Sequence, residues 1–199
     1  GSDQLTPAER PPQGRTFSIM HVGNFYGPRQ PDARLKALAE ISNPDIEFVQ
    51  VGEPVPAFEN YQSRVRIRLI PSVRHEQALS LMKSASLLYL KQGHEEGVKH
   101  YIAVAAKTYE YLATGLPIIA DCPAGDNIQL VERYAAHSYI VTDESPKHLK
   151  EAVLAAYARR HETEPAIHEE FITAFSRKAL TEKLAAVFDQ AARKHGRHS

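Results

Sequence analysis

"AAKTYEYLATGLPIIADCP", residues 105–123, combines a short helical pattern, a glycine and an apolar run. The spacing predicts a helix over 107–114, a C-terminal stop at Gly115 and a buried strand over 116–122. Lys107 and Glu110 are both expected in the first turn of that helix, where the backbone dipole is positive. A carboxylate gains about 0.3–1 kcal/mol there, whereas an ammonium is repelled. A helix-steadying Glu110 beside a solvent-facing Lys107 accounts for the acid but not for the lysine. A phosphate bound near the helix start would screen the dipole and make Lys107 favourable. Glu110, three residues on, projects from nearly the same face, where a carboxylate can accept hydrogen bonds from the vicinal hydroxyls of a sugar.

Outward from this stretch the same alternation repeats. Apolar runs at 16–23, 46–52, 65–71, 86–91 and 138–143 read as further strands, and the first two end in glycine. Helical spacing covers 31–41, 76–85, 126–136 and 145–160, and 168–195 carries one or two amphipathic helices. Asp126 is expected to cap one helix, and Ser145 followed by Pro146 to cap another. Residues 53–64 read as a long loop whose helix content the pattern leaves open, and 92–106 read mostly as loop. Six short strands alternating with helices imply an α/β, Rossmann-like three-layer αβα fold with a mostly parallel sheet. The expected organisation is a tag scar and linker at 1–15, one domain at 16–195 and a frayed tail at 196–199. A chain that opens in a linker is expected to be part of something longer.

In open parallel sheets ligands bind outside the carboxyl ends of the strands. The loop after the first strand, "HVGNFYGPRQP" (21–31), offers Gly23 and Gly27 for close backbone approach, with Arg29 as a fork of donors. It is either an anion site or a glycine turn beside a surface arginine. No G-x-G-x-x-G or G-x-x-x-x-G-K-[ST] is present, so the dinucleotide and ATP-loop fingerprints are absent. Gly52 with Glu53 reads as a turn. Ser72 and Val73 either flank a planar base or form a plain strand-to-helix turn. "CPAGDN" (122–127) starts a helix beside the opening stretch, and Cys122 has no nearby histidine to activate it.

Other features narrow the class. Lys plus Arg (24) equals Asp plus Glu (24), which gives no global field for nucleic acid or anionic lipid. A single cysteine excludes a disulfide framework, which fits a reducing cytoplasm. No apolar run reaches the about 20 residues of a membrane span, and there is no signal-peptide pattern. "HEEGVKH" (94–100) is not H-E-x-x-H, and its spacing keeps His94 and His100 off one helical face, so no metal site is assigned.

"KTYEYLATGLPIIA" resembles the nucleotide-binding segment of GT-B glycosyltransferases, in particular the retaining family 4, whose pattern is K-x-x-E-Y-(x)3-G-x-P followed by two apolar residues. "FSIMHVGNFYGPRQPDARLKALAEI" is similar to the opening strand, loop and helix of their C-terminal domain, and "FSRKALTEKLAAVFDQ" to their terminal helices. The resemblance covers about residues 16 to 192. It implies the donor-binding half of a two-domain enzyme that transfers a sugar from a nucleotide-diphosphate sugar, in polysaccharide or glycoconjugate synthesis. A missing N-terminal domain would bind the acceptor and make any contact with the inner face of the membrane.

By position, the resemblance places Glu110 on the ribose hydroxyls. Arg29 and Lys107 would stabilise the diphosphate, which the loop of Gly23, Asn24, Gly27 and Arg29 would face. Ser72 and Val73 would lie beside the base, and Asp126 and Asn127 near the rim. No cofactor is required. Ile102 stands eight positions before Glu110, where many members have a glutamate on the donor sugar. A degenerate partner-binding domain, a phosphorylase and a nucleotide-sugar epimerase of the same fold are the alternatives.

Overall fold

The computed structural model describes residues 7–9, 16–27, 31–94, 97–162 and 164–195. Arg29, most of the expected linker and the expected tail 196–199 lie outside the described residues.

Strands β1 (Phe17–Val22), β2 (Ile46–Val51), β3 (Arg66–Ile70), β4 (Leu87–Lys91), β5 (Ile118–Asp121) and β6 (Ser138–Val141) form one sheet in the order β3-β2-β1-β4-β5-β6. Every pairing between these strands is parallel. The helices are α1 (Asp32–Ala39), α2 (Ala57–Tyr61), α3 (His75–Lys83), α4 (Ala106–Leu112), α5 (Asp126–Tyr134), α6 (Pro146–Ala158), α7 (Glu169–Phe175) and α8 (Arg177–His195).

The layers follow from the period-2 alternation of a strand. Along β4, Leu87 and Tyr89 face one side, where they join Leu35, Leu38, Phe58, Leu149 and Val153 of α1, α2 and α6. Leu88 and Leu90 face the other, where they join Met82, Tyr111, Leu112, Val131 and Phe171 of α3, α4, α5 and α7. Both faces are covered, which explains why the central strands read as unbroken apolar runs. The edge strand β3 alternates instead, and its exposed Arg66 and Arg68 approach Glu47 of β2 at 3.6 and 3.1 Å. Charged edges of this kind discourage pairing with a further strand.

Some expectations shift. Residues 53–64 contain α2, because Phe58 is fully buried against Phe25 and Phe48, with ring centroids 5.9 and 6.2 Å away. Ser145 does cap α6, accepting from the His148 N–H at 3.3 Å. Asp126 does not cap α5: Gly125 takes that place, and Asp126 is the first helical residue. The reason is a close approach, since a side chain at Gly125 would collide with the backbone of Tyr101, whose carbonyl accepts the Asp126 N–H at 2.8 Å. Within the stretch read as linker, Ala8 is buried in the core and its N–H donates to the Thr114 carbonyl at 2.7 Å.

Candidate functional site

β1 is hydrogen-bonded to β2 on one side and to β4 on the other, so the strand order reverses beside it. Crevices of open α/β sheets lie at that switch point, outside the carboxyl ends of the strands. Five loops or helix starts meet there, joined by a closed ring of contacts.

The ring starts at α4. Lys107 reaches over the glycine that ends β1: a Cβ on Gly23 would lie 2.6 Å from Lys107 Nζ, and Gly23 has a φ of +122°. Next to it, Asn24 Oδ1 accepts the Glu53 N–H at 2.9 Å, which ties the β1 loop to the β2 loop. Glu53 Oε1 accepts from Ser72 Oγ at 2.9 Å, which reaches the β3 loop. Val73 follows, half-buried against the core. His75, at the start of α3, lies with its Nδ1 3.7 Å from Glu110 Oε1, and Glu110 returns the ring to α4. Gly52 makes the narrow passage possible, because a Cβ there would sit 2.6 Å from the Gly23 carbonyl and 2.7 Å from Asn24 Oδ1.

Thus Gly23, Asn24, Ser72, Val73, Lys107 and Glu110 lie along one circuit of contacts at the carboxyl edge of the sheet. Lys107 and Glu110 diverge within it, toward the β1 loop and the β3 loop respectively. α4 begins at Ala106, so Lys107 is in its first turn and Glu110 in its second, not both in the first. Gly27 has a φ of +52° and open space around it.

The other two nominated residues stand apart from the ring. Asp126 is paired with His100, Oδ1 to Nε2 at 2.8 Å. Asn127 is fully buried, not at a rim. Its Oδ1 accepts from Thr108 Oγ1 at 2.6 Å and from the Ala105 N–H at 3.3 Å, and its Nδ2 donates to Gln92 Oε1 at 2.8 Å. Asn127 is therefore a strut beneath the start of α4, and its role is to hold Lys107's helix in place.

A cluster that sequence reasoning missed lies under the same edge. Arg34 of α1 donates to Asp121 through Nε (2.7 Å) and Nη2 (3.2 Å), and to Glu144 at 2.8 Å. Lys91 Nζ, almost wholly buried, donates to the same two carboxylates at 3.3 and 2.9 Å. Tyr89 donates its hydroxyl to Asp121. Burial pushes the Asp121 carboxyl up, but Arg34 and Lys91 outweigh it and hold it below the usual 3.8. Glu144 is likewise held down by Lys91 and Arg34 against its own burial. The arrangement clamps the ends of β4, β5 and β6 to α1. Its partners are 30 to 110 residues apart in sequence, which is why no local pattern announces them.

Cys122 is buried, and its thiol is pushed up to about 12 by that burial, so it is not a nucleophile. Burial also lowers the His94 imidazole. Among the described residues no group of three or more His, Cys, Asp or Glu is placed to hold a metal ion. No described helix is long and apolar enough to cross a membrane.

No family model and no curated protein matches this sequence. Solved structures do match in fold. Sucrose-phosphate synthase from Thermosynechococcus elongatus superposes with a TM-score of 0.66 at 18% identity, over 98% of this chain and 47% of that one. HepE (Alr3699) from Anabaena, solved with UDP and glucose, gives 0.65 at 15% identity, over 88% of this chain and 48% of that one. UDP-GlcNAc 2-epimerase from Neisseria meningitidis, bound to UDP-GlcNAc, gives 0.59 at 15%, over 87% and 45%. The chain spans about half the length of each of these proteins, and its fold is that of one half of a GT-B enzyme.

Proposed function

We propose that the chain is the donor-binding half of a glycosyltransferase. It would hold a nucleotide-diphosphate sugar at the ring of contacts and pass the sugar to an acceptor bound mainly by a second domain. The observation that carries this reading is the ring itself, which brings a cation over a glycine loop and a carboxylate across from it at the sheet's switch point. The fold neighbours support it, since HepE was solved with UDP and glucose and the epimerase with UDP-GlcNAc.

In this scheme Glu110 accepts from the ribose hydroxyls, and Ser72 with Val73 borders the base. The Gly23–Gly27 loop and Lys107 face the diphosphate, with Arg29 assigned there by resemblance. When the bond between the sugar's anomeric carbon and the phosphate oxygen breaks, negative charge develops on the departing diphosphate. Lys107 would stabilise it electrostatically, which is the main way such sites lower a barrier. The scheme asks for no cofactor beyond the donor substrate. Without the second domain the chain binds donor and does not transfer it. The reading takes the full protein to be cytoplasmic, in keeping with the single, unpaired cysteine.

Isothermal titration with UDP and with GDP tests the reading. Binding of at least one of them, weakened by Glu110→Ala, is expected; no heat from any nucleotide at millimolar concentration would overturn it. The degenerate, partner-binding alternative draws on Ile102, which is 80% exposed and apolar where many of the resembling enzymes carry an acid. Nucleotide affinity unmoved by Glu110→Ala favours that alternative.

A further inference from the structure

The ring rests on a second set of bonds that begins at a backbone carbonyl. The Gly23 oxygen can only accept, so the Gln50 group 2.6 Å from it is the amide Nε2–H donor. That fixes the other end of Gln50 as Oε1, an acceptor, and it lies 2.8 Å from His21 Nδ1. Nδ1 must therefore carry the proton. In a neutral imidazole the remaining nitrogen is then an acceptor. His21 Nε2 is 3.3 Å from Lys107 Nζ, which has only protons to offer. Every assignment follows from the one before it, and the sequence of bonds ends at the ammonium that lies over Gly23, where it began.

The two side chains behind Lys107 have no room to wander. His21 is 1% exposed and Gln50 fully buried. The His21 ring is stacked on Phe25 at 4.2 Å and meets the Tyr89 ring edge-on at 6.2 Å. The Val22 N–H donates to Tyr111 Oη at 3.0 Å, fixing the end of β1 against α4. A lysine side chain is long, and ordering it costs rotamer freedom. Here that ordering is done before any ligand arrives.

We propose that His21 is a positioning residue for the donor diphosphate: its Nδ1–H tautomer, imposed by the Gly23 carbonyl through Gln50, holds the Lys107 ammonium over the β1 loop. This rests on the donor-binding reading above. His21 touches no phosphate in this scheme; it acts through Lys107. Preorganisation of this kind strengthens binding by removing an ordering cost and adds no ligand contact.

A double-mutant cycle with UDP, read by isothermal titration, tests it, together with long-range 1H–15N spectra of the histidine rings. Lys107→Ala should weaken UDP by about tenfold or more, as loss of a charge-assisted hydrogen bond does. His21→Asn, which keeps a donor for Gln50 but deletes the acceptor at Nε2, should weaken it by about three- to tenfold. The double variant should be no weaker than Lys107→Ala alone. His21→Gln, which restores an acceptor near the Nε2 position, should recover affinity to within about twofold of wild type. In the unliganded wild type, His21 should show a protonated Nδ1 and an unprotonated Nε2. A protonated Nε2, or losses from His21→Asn and Lys107→Ala that simply multiply, would overturn the proposal while leaving the donor-binding reading intact. Failure of wild-type protein to bind UDP or GDP would overturn that reading and the diphosphate role with it, whatever tautomer the spectra show.

Discussion

Lys107 and Glu110 leave one helix in two directions. They are three residues apart, and the sequence places them together; the structure sends Lys107 to Gly23 and Glu110 to His75. What local spacing conveys is proximity. What it omits is which loop each side chain meets, because that depends on the strand order. His21 and Gln50 were invisible for the same reason: a histidine and a glutamine inside apolar strands look like interruptions until β1 and β2 pair and bring them within 2.8 Å. Glu110→Ala should lower nucleotide affinity by about tenfold or more, as loss of hydrogen bonds to a charged group does, with the melting temperature unchanged. Gly23→Ala should act on the same site from the other side. Its Cβ would displace the end of Lys107 and force a φ of +122° on an alanine, so nucleotide binding should weaken while circular dichroism still reports a folded chain.

The elements themselves were largely legible. Apolar runs ending in glycine became β1 and β2, and the Ser145-Pro146 pair marked the start of α6. The misplacements occurred where tertiary packing overrode a local signal. α2 is short and follows two closely spaced prolines, and the burial of Phe58 holds it against the core. Asp126 carries the side chain of a cap, but the Tyr101 backbone leaves room only for glycine at the position before it. Asp121 and its cations were hidden because each sits on a different element. Asp121→Asn should therefore destabilise the fold by about 3–5 kcal/mol, since it leaves Arg34 and Lys91 buried with less compensating charge; denaturant unfolding measures this. The Asp121 and Glu144 carboxyls are both held below their ordinary values. Their ionised forms stabilise the folded state at neutral pH, and that contribution is lost as pH falls through the depressed folded values. The melting temperature should thus hold from pH 7 to about 5 and fall below about pH 4, with a shallower fall in Asp121→Asn.

At the scale of the whole molecule, the chain has the fold of half a GT-B enzyme and half the length of its fold neighbours. The donor-binding reading divides the work accordingly, so this chain should bind nucleotide and yield no transferred sugar, and transfer should return only with a second domain supplied. The last helix is a separate matter. Leu180, Leu184, Val187 and Phe188 on α8 are 48 to 64% exposed, so Leu184→Ser with Phe188→Ser should change stability by no more than about 1 kcal/mol and leave nucleotide binding intact.

The central claim is that the ring around Gly23, Ser72, Lys107 and Glu110 is a nucleotide-diphosphate site, and a crystal structure of the chain with UDP tests it most directly. The account predicts the ribose hydroxyls on Glu110, the base beside Ser72 and Val73, and the diphosphate against Lys107 with His21 still behind it. UDP seated elsewhere, with Glu110 still on His75 and no contact to Lys107, would contradict it.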